Sequence, residues 1–324
     1  MRLNLNELAK TVFGRAVYDE NGALALAWAM SGFAVRVRAS HIVLHFSPDY
    51  SHDQPAYVKV TLDGVSSKHA ISTGREKIVL RAHPDAVHTL ELRRISSGPA
   101  SLKAAALELD GEVMTPPEAP SLRLQFFGDS ITCGYGNLAE STSRVYYTYE
   151  EDASETYAAR TAATLNADMR AVAISGQGIV KNCNGDVDTP IPLFCAWETR
   201  QGRESHDFAS WQPHAVVINA GTNDAGGRVE PEEFRDGATA FLAHLRKVYP
   251  DAHIFWAYGM MGMKYDDVLS ALIGECGDEK IHYVPIRPIY EFEGECGANG
   301  HPNLRGHERA AKILTENLKK WLNL

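Results

Sequence analysis

Residues 122–136 read Leu-Arg-Leu-Gln-Phe-Phe-Gly-Asp-Ser-Ile-Thr-Cys-Gly-Tyr-Gly. The run 122–127 has the apolar character of a buried strand, and it stops on the small, polar turn Gly128-Asp129-Ser130. Downstream the same grammar repeats. A helical pattern at 155–165 precedes a strand at 171–175, which ends at Gly176. A second strand at 215–219 ends in Ala220-Gly221-Thr222-Asn223-Asp224. Then come a helix at 232–248, a strand at 253–257, a helix at 266–275, a strand at 281–285 and a closing helix at 304–322. Strands alternating with helices predict a doubly wound, mostly parallel sheet covered by helices on both faces. Ligands bind such sheets off the carboxyl ends of the strands, and three of these strands end in small, glycine-containing loops.

Upstream the period changes. Phe33-Ala34-Val35-Arg36-Val37-Arg38 and Val58-Lys59-Val60-Thr61-Leu62 alternate with period two, and 42–46, 77–80, 88–92 and 102–109 add short strands. Turn-formers separate them: Ser47-Pro48-Asp49, Asp63-Gly64, Ser72-Thr73-Gly74 and Ser97-Gly98-Pro99. This spacing predicts a two-sheet β-sandwich of jelly-roll type. Between the halves lies Thr115-Pro116-Pro117-Glu118-Ala119-Pro120, a stiff connector. The expected organisation is a sandwich at 1–115, a linker at 116–120 and an α/β/α domain at 121–324.

The 324 residues suffice for two cores, and 44% hydrophobic with 23% charged residues is ordinary for a globular protein. A net charge of -9 lacks the basic footprint that phosphate binding needs, which excludes a nucleic-acid partner. No apolar run reaches bilayer length and the first residues lack a signal-peptide core, so a cytoplasmic protein with no membrane partner is expected. Five scattered cysteines without a C-x-x-C pair read as reduced thiols, with a Cys276–Cys296 bridge as the alternative. None of the thirteen histidines makes a metal-ligand spacing with a carboxylate, so neither metal nor cofactor is expected.

Acyl transfer needs a hydroxyl whose proton a base can take, and N–H donors aimed at the developing oxyanion. Ser130 sits among glycines that let the chain turn sharply. Gly176 offers a backbone N–H with no side chain in the way, and Asn223 offers a side-chain amide. His301 stands in Asn299-Gly300-His301-Pro302-Asn303, immediately before the last helix. Singly, Ser130 would pass for a helix N-cap and Asn223 for a turn residue; all four fall on one sheet edge. Asp129 and Asp224 read as loop-ordering carboxylates. Trp197 suits either a sugar-stacking aromatic or a loop anchor, and Tyr135 and Tyr146-Tyr147 suit the rim of a pocket.

Gly128-Asp129-Ser130-Ile131-Thr132, Gly176, Gly221-Thr222-Asn223-Asp224 and His301-Pro302 resemble, in order, the four blocks of the SGNH (GDSL-type) hydrolases. The resemblance spans about the last 200 residues, one domain's length. It implies Ser130 as nucleophile, His301 as base, and an oxyanion hole from the Ser130 and Gly176 amides with the Asn223 side chain. With a sandwich in front, the chain is most similar to carbohydrate esterase family 2, which removes O-acetyl groups from plant polysaccharides and oligosaccharides. That likeness implies an acetylated xylan- or mannan-type oligosaccharide as substrate and an acetyl-serine intermediate. The alternatives are a lipase- or thioesterase-like SGNH hydrolase and a carbohydrate-binding protein with a vestigial site. One position departs from the pattern: the Asp usual three residues before the histidine is Ala298 here. The resemblance then implies a Ser-His dyad, its histidine held by the Ala298 or Asn299 carbonyl or by the Asn299 side chain.

Overall fold

The computed structural model describes every residue except 16, 49–53, 99–100, 141–143 and 145–146. Tyr146, and with it half of the Tyr146-Tyr147 rim pair, lies outside the described residues, as do Asp49 and Pro99 of the two turns.

By contact density the chain forms two compact units, Met1–Ala119 with Tyr147–Tyr149 and Glu198–Glu204, and the remainder from Pro120 to Leu324. The boundary is not the single cut expected at 116–120. The Thr11 hydroxyl donates to the Pro117 carbonyl, so the proline-rich stretch lies against the sandwich rather than free of it. The two later segments are tied in by hydrogen bonds of their own. Trp28 Nε1 donates to the Glu198 carbonyl at 2.8 Å and the Thr148 hydroxyl to the Pro55 carbonyl at 2.8 Å.

Among the described residues the first unit contains twelve strands. Four short ones, β1 (Arg2–Asn4), β2 (Thr11–Phe13), β3 (Val17–Tyr18) and β4 (Leu24–Ala25), lead into β5 (Gly32–Arg38), β6 (His41–Pro48) and β7 (Ala56–Leu62). Then follow β8 (Val65–Ile71), β9 (Lys77–Arg81), β10 (His88–Arg94), β11 (Leu102–Leu109) and β12 (Glu112–Met114). Their pairings are antiparallel and make two sheets, one ordered β3-β4-β11-β6-β9, the other β12-β5-β10-β7-β8. From β4 to β11 each strand crosses to the other sheet except at the β7–β8 hairpin, which is the strand order of a jelly roll. Inward residues of both sheets, among them Phe33, Val35, Val37, Leu44, Val58, Val60, Leu90, Leu92 and Leu107, form one buried core. Strand β8 had no signature in the sequence. Its Val-Ser-Ser-Lys-His-Ala-Ile buries only Ile71, because it pairs at the sheet's edge and has no inward apolar face to advertise.

The second unit is a five-stranded parallel sheet ordered β14-β13-β15-β16-β17. Its strands are β13 (Leu122–Gly128), β14 (Ala167–Ala173), β15 (Ala215–Asn219), β16 (His253–Tyr258) and β17 (Ile281–Pro285). Its helices are α1 (Ser130–Cys133), α2 (Tyr157–Thr164), α3 (Ile191–Phe194), α4 (Thr222–Gly226), α5 (Pro231–Val248), α6 (Asp266–Glu275) and α7 (Leu304–Leu322). All five residues of β15 are buried, as a parallel strand covered on both faces requires. The chain leaves β13 for β14 on one side and returns to β15 on the other, so the strand order reverses at β13. There Gly128 pairs with Ala173 of β14 and Asn219 of β15, setting three strand ends level at the place where such sheets bind ligands.

All five cysteines are free thiols, Cys276 exposed and Cys296 partly so, which removes the alternative of a bridge between them. Among the described residues no helix is long and apolar enough to cross a membrane.

Candidate active site

Gly128 ends β13, and Asp129 turns the chain into α1 by accepting the Ile131 amide at 3.0 Å. This sets Ser130 at the start of the short helix, 5% exposed. From the other end of the unit, Asn303 caps α7 by accepting the Arg305 and Gly306 amides. The loop before it closes on itself through Gly297 N–H donating to the His301 carbonyl at 2.6 Å. His301 Nε2 then lies 2.9 Å from Ser130 Oγ. On its other side Nδ1 lies 3.2 Å from the Ala298 carbonyl. A carbonyl only accepts, so Nδ1 carries the ring proton and Nε2 is the acceptor facing the Ser130 hydroxyl. Burial pushes the His301 pKa down, while the Ala298 and Asn299 carbonyls pull it back up.

Among the described residues no carboxylate hydrogen-bonds His301 Nδ1 in place of the Asp missing from position 298. Glu295, the nearest in sequence, is committed to Arg309, which grips it through Nε at 2.9 Å and Nη2 at 2.8 Å. Ala298 is shaped by its neighbour: a Cβ on Gly136, whose φ is +58°, would stand 2.3 Å from Ala298 Cβ. The serine loop and the histidine loop are therefore packed backbone to backbone, and Ala298 N–H donates to the Gly136 carbonyl at 3.2 Å.

Three strand-end loops meet around Asn223, whose amide nitrogen lies 3.0 Å from Asp129 Oδ2 and 2.9 Å from the Gln177 carbonyl. Asp224 binds the amides of Ile179, Val180 and Lys181, at 2.9, 2.7 and 3.2 Å, and so fixes the loop after Gly176. Both carboxylates order loops, as expected. Burial raises the pKa of each, Asp129 to about 7. Gly176 takes a φ of +84°, where a side chain would be strained. Among the described residues the backbone N–H groups of Ser130 and Gly176 have no hydrogen-bond acceptor. A buried amide is rarely left so, and that of Ser130, on the nucleophile candidate itself, is free to receive an anionic oxygen. Asn223 differs from the simple expectation, because both its amide hydrogens already have acceptors. To serve an oxyanion it must exchange the Gln177 carbonyl for the incoming oxygen.

Tyr135 and Trp197 take positions the sequence did not decide. The Tyr135 ring lies against the His301 imidazole, centroids 4.4 Å apart with planes at 32°. Trp197 is 8% exposed and packs on Phe194 at 6.3 Å, the place of a loop anchor with little ring left for a sugar. His307 caps α2, its Nδ1 accepting the Tyr157 amide at 3.1 Å. The Gln177 carbonyl and the Tyr135 stack escaped the sequence; the only signal for the latter was an aromatic in the Gly134-Tyr135-Gly136 turn.

A serine hydroxyl hydrogen-bonded to a histidine, with its own amide unpaired, agrees with the family model that matches residues 126–309, described as GDSL-like lipase/acylhydrolase. The chain belongs to the GDSL-like lipase/acylhydrolase family. Within this family it is 31% identical to the cellulase/esterase CelE of Acetivibrio thermocellus, over 65% of this chain and 27% of that protein. It is 26% identical to an acetylxylan esterase/glucomannan deacetylase of Cellvibrio japonicus, over 67% of this chain and 62% of that one. The chain thus spans less than two thirds of the length of either relative. Its fold is shared by a family two carbohydrate esterase from Clostridium thermocellum solved in complex with cellohexaose, with a TM-score of 0.88 and 23% identity. That match covers 97% of this GDSL-like chain and 99% of the solved one.

Proposed function

We propose that the protein is a carbohydrate acetyl esterase that removes O-acetyl groups from plant-derived oligosaccharides of the xylan and mannan type. The observation that carries this reading is the 2.9 Å approach of His301 Nε2 to Ser130 Oγ. His301 accepts the hydroxyl proton as Ser130 Oγ attacks the acetyl carbonyl, and the resulting oxyanion receives the two backbone N–H groups and the Asn223 amide. The imidazolium returns its proton to the departing sugar oxygen, leaving acetyl-Ser130. Water, deprotonated by the same nitrogen, then releases acetate and restores the hydroxyl. Support for a sugar ester comes from the names of the relatives, which act on acetylated xylan and glucomannan.

Acetate release from acetylated xylo-, manno- and gluco-oligosaccharides tests the reading, with a chain-length series of nitrophenyl esters beside it. A steep preference for acetate is expected. Activity rising toward long acyl chains would make the protein a lipase- or thioesterase-like member of the family instead.

A further inference from the structure

Replacing a triad's Asp by a backbone carbonyl removes two things: a rigid hold on the imidazole and a negative charge to stabilise its protonated form. The Ala298 carbonyl at 3.2 Å restores some of the first and little of the second. The remaining contact of the ring is with Tyr135, whose centroid is 4.4 Å from that of the imidazole. Tyr135 is itself held by the backbone of its turn. Its amide donates to the Ser130 carbonyl at 3.0 Å. Asn299 is held in the left-handed region at φ 51°, beside the Ala298 carbonyl that accepts from Nδ1. The imidazole thus has the Ala298 carbonyl as acceptor at its edge and the Tyr135 ring against its face.

We infer that Tyr135 is a positioning residue for His301, its ring holding the imidazole in line with Ser130 and stabilising the imidazolium through its π face. This inference rests on the proposed role of His301 as base. A cation over an aromatic face is favoured, more so where water is excluded. His301 acquires its positive charge when Ser130 gives up its proton, so the contribution appears in the transition state and not in substrate binding. The ionisable groups around the pair are few. Burial, with Glu150 and Glu151 adding to it, raises the Tyr135 phenol and keeps it protonated, and His307, which the charge of His301 reaches, is held neutral by burial.

Tyr135→Leu keeps the site apolar and removes the π face, whereas Tyr135→Phe keeps the face and removes only the hydroxyl. With an acetyl ester as substrate, Tyr135→Leu is expected to lower kcat about tenfold with KM nearly unchanged. Its acid limb of kcat/KM is expected to move down by about half a pH unit or more. Tyr135→Phe should retain most of kcat and the wild-type acid limb. A KM effect with kcat and pH profile intact would overturn the inference and return Tyr135 to the rim of the pocket. The His301 pKa read by NMR titration of the free protein needs no turnover, so it separates this inference from the esterase reading. A value lower in Tyr135→Leu than in wild type supports it; an unchanged or higher one sinks it.

Discussion

At Ser130 the geometry asks one side chain to do all the bond-making. Ser130→Ala is expected to lower acetate release by at least about 10³-fold, what remains coming from binding and the oxyanion donors alone. Comparable turnover in the variant would remove Ser130 from the mechanism. If Asn223 is an oxyanion donor, Asn223→Ala should lower kcat by roughly 10²-fold or more with a smaller change in KM, and a near-wild-type kcat would leave its amide with the Gln177 carbonyl. Ala298→Asp, the substitution that copies the triad of the wider family, is expected not to raise kcat. Ala298 is 1% exposed with its Cβ against Gly136, so a carboxylate there would be buried away from Nδ1 at a cost of about 1–3 kcal/mol of stability. A gain in kcat would mean the histidine loop can rearrange to use it.

Between elements, the decisive contact is the one that seats the loop before α7 against the turn after α1. Gly136→Ala must displace Ala298 from a 2.3 Å overlap and accept a positive φ, so a loss of about 1–3 kcal/mol is expected together with a fall in kcat. Thermal unfolding and kinetics on the same sample check this, and a fully active, equally stable variant would contradict the packing described. Much of this level was legible beforehand. The strand ends of β13 and β15 announced themselves because their apolar runs stop at Gly128 and at Ala220-Gly221, whereas β14 runs from Ala167 to Ala173, earlier than the 171–175 expected, because Asp168 and Arg170 hide its start. The four blocks then carried the site. What stayed hidden acts through backbone or across distant loops: the Ala298 carbonyl, the Gln177 carbonyl that occupies Asn223, and the tyrosine ring over His301. Strand β8 stayed hidden because an edge strand with polar faces has no periodicity to read, and Trp197 because an aromatic in a loop reads alike as anchor or platform.

Across the whole chain, acid sensitivity follows from buried imidazoles. Burial lowers His282 to about 4 and His307 to about 3, and His301 also lies below its ordinary value. For such groups the unfolded chain binds more protons, so their contribution is complete above about pH 6.5 and is lost as pH falls through the folded values. Asp129, raised to about 7, and Asp224, also raised by burial, work in the opposite direction, Asp129 losing its contribution as pH rises from about 4 to 7. The lowered histidines outnumber the two carboxylates, so the unfolding temperature is expected to fall between pH 7 and pH 5, and a rise would contradict the burial described. Activity should reach to lower pH than stability suggests, because a base with a depressed pKa stays neutral and competent below about pH 6.5. The central claim, a Ser130–His301 pair deacetylating sugars, meets its most direct test in acetate release from acetylated xylo- and manno-oligosaccharides by wild type and Ser130→Ala side by side. Rapid release by the wild type and almost none by the variant is the expected result; no release from any acetylated sugar, or equal release by both, would contradict it.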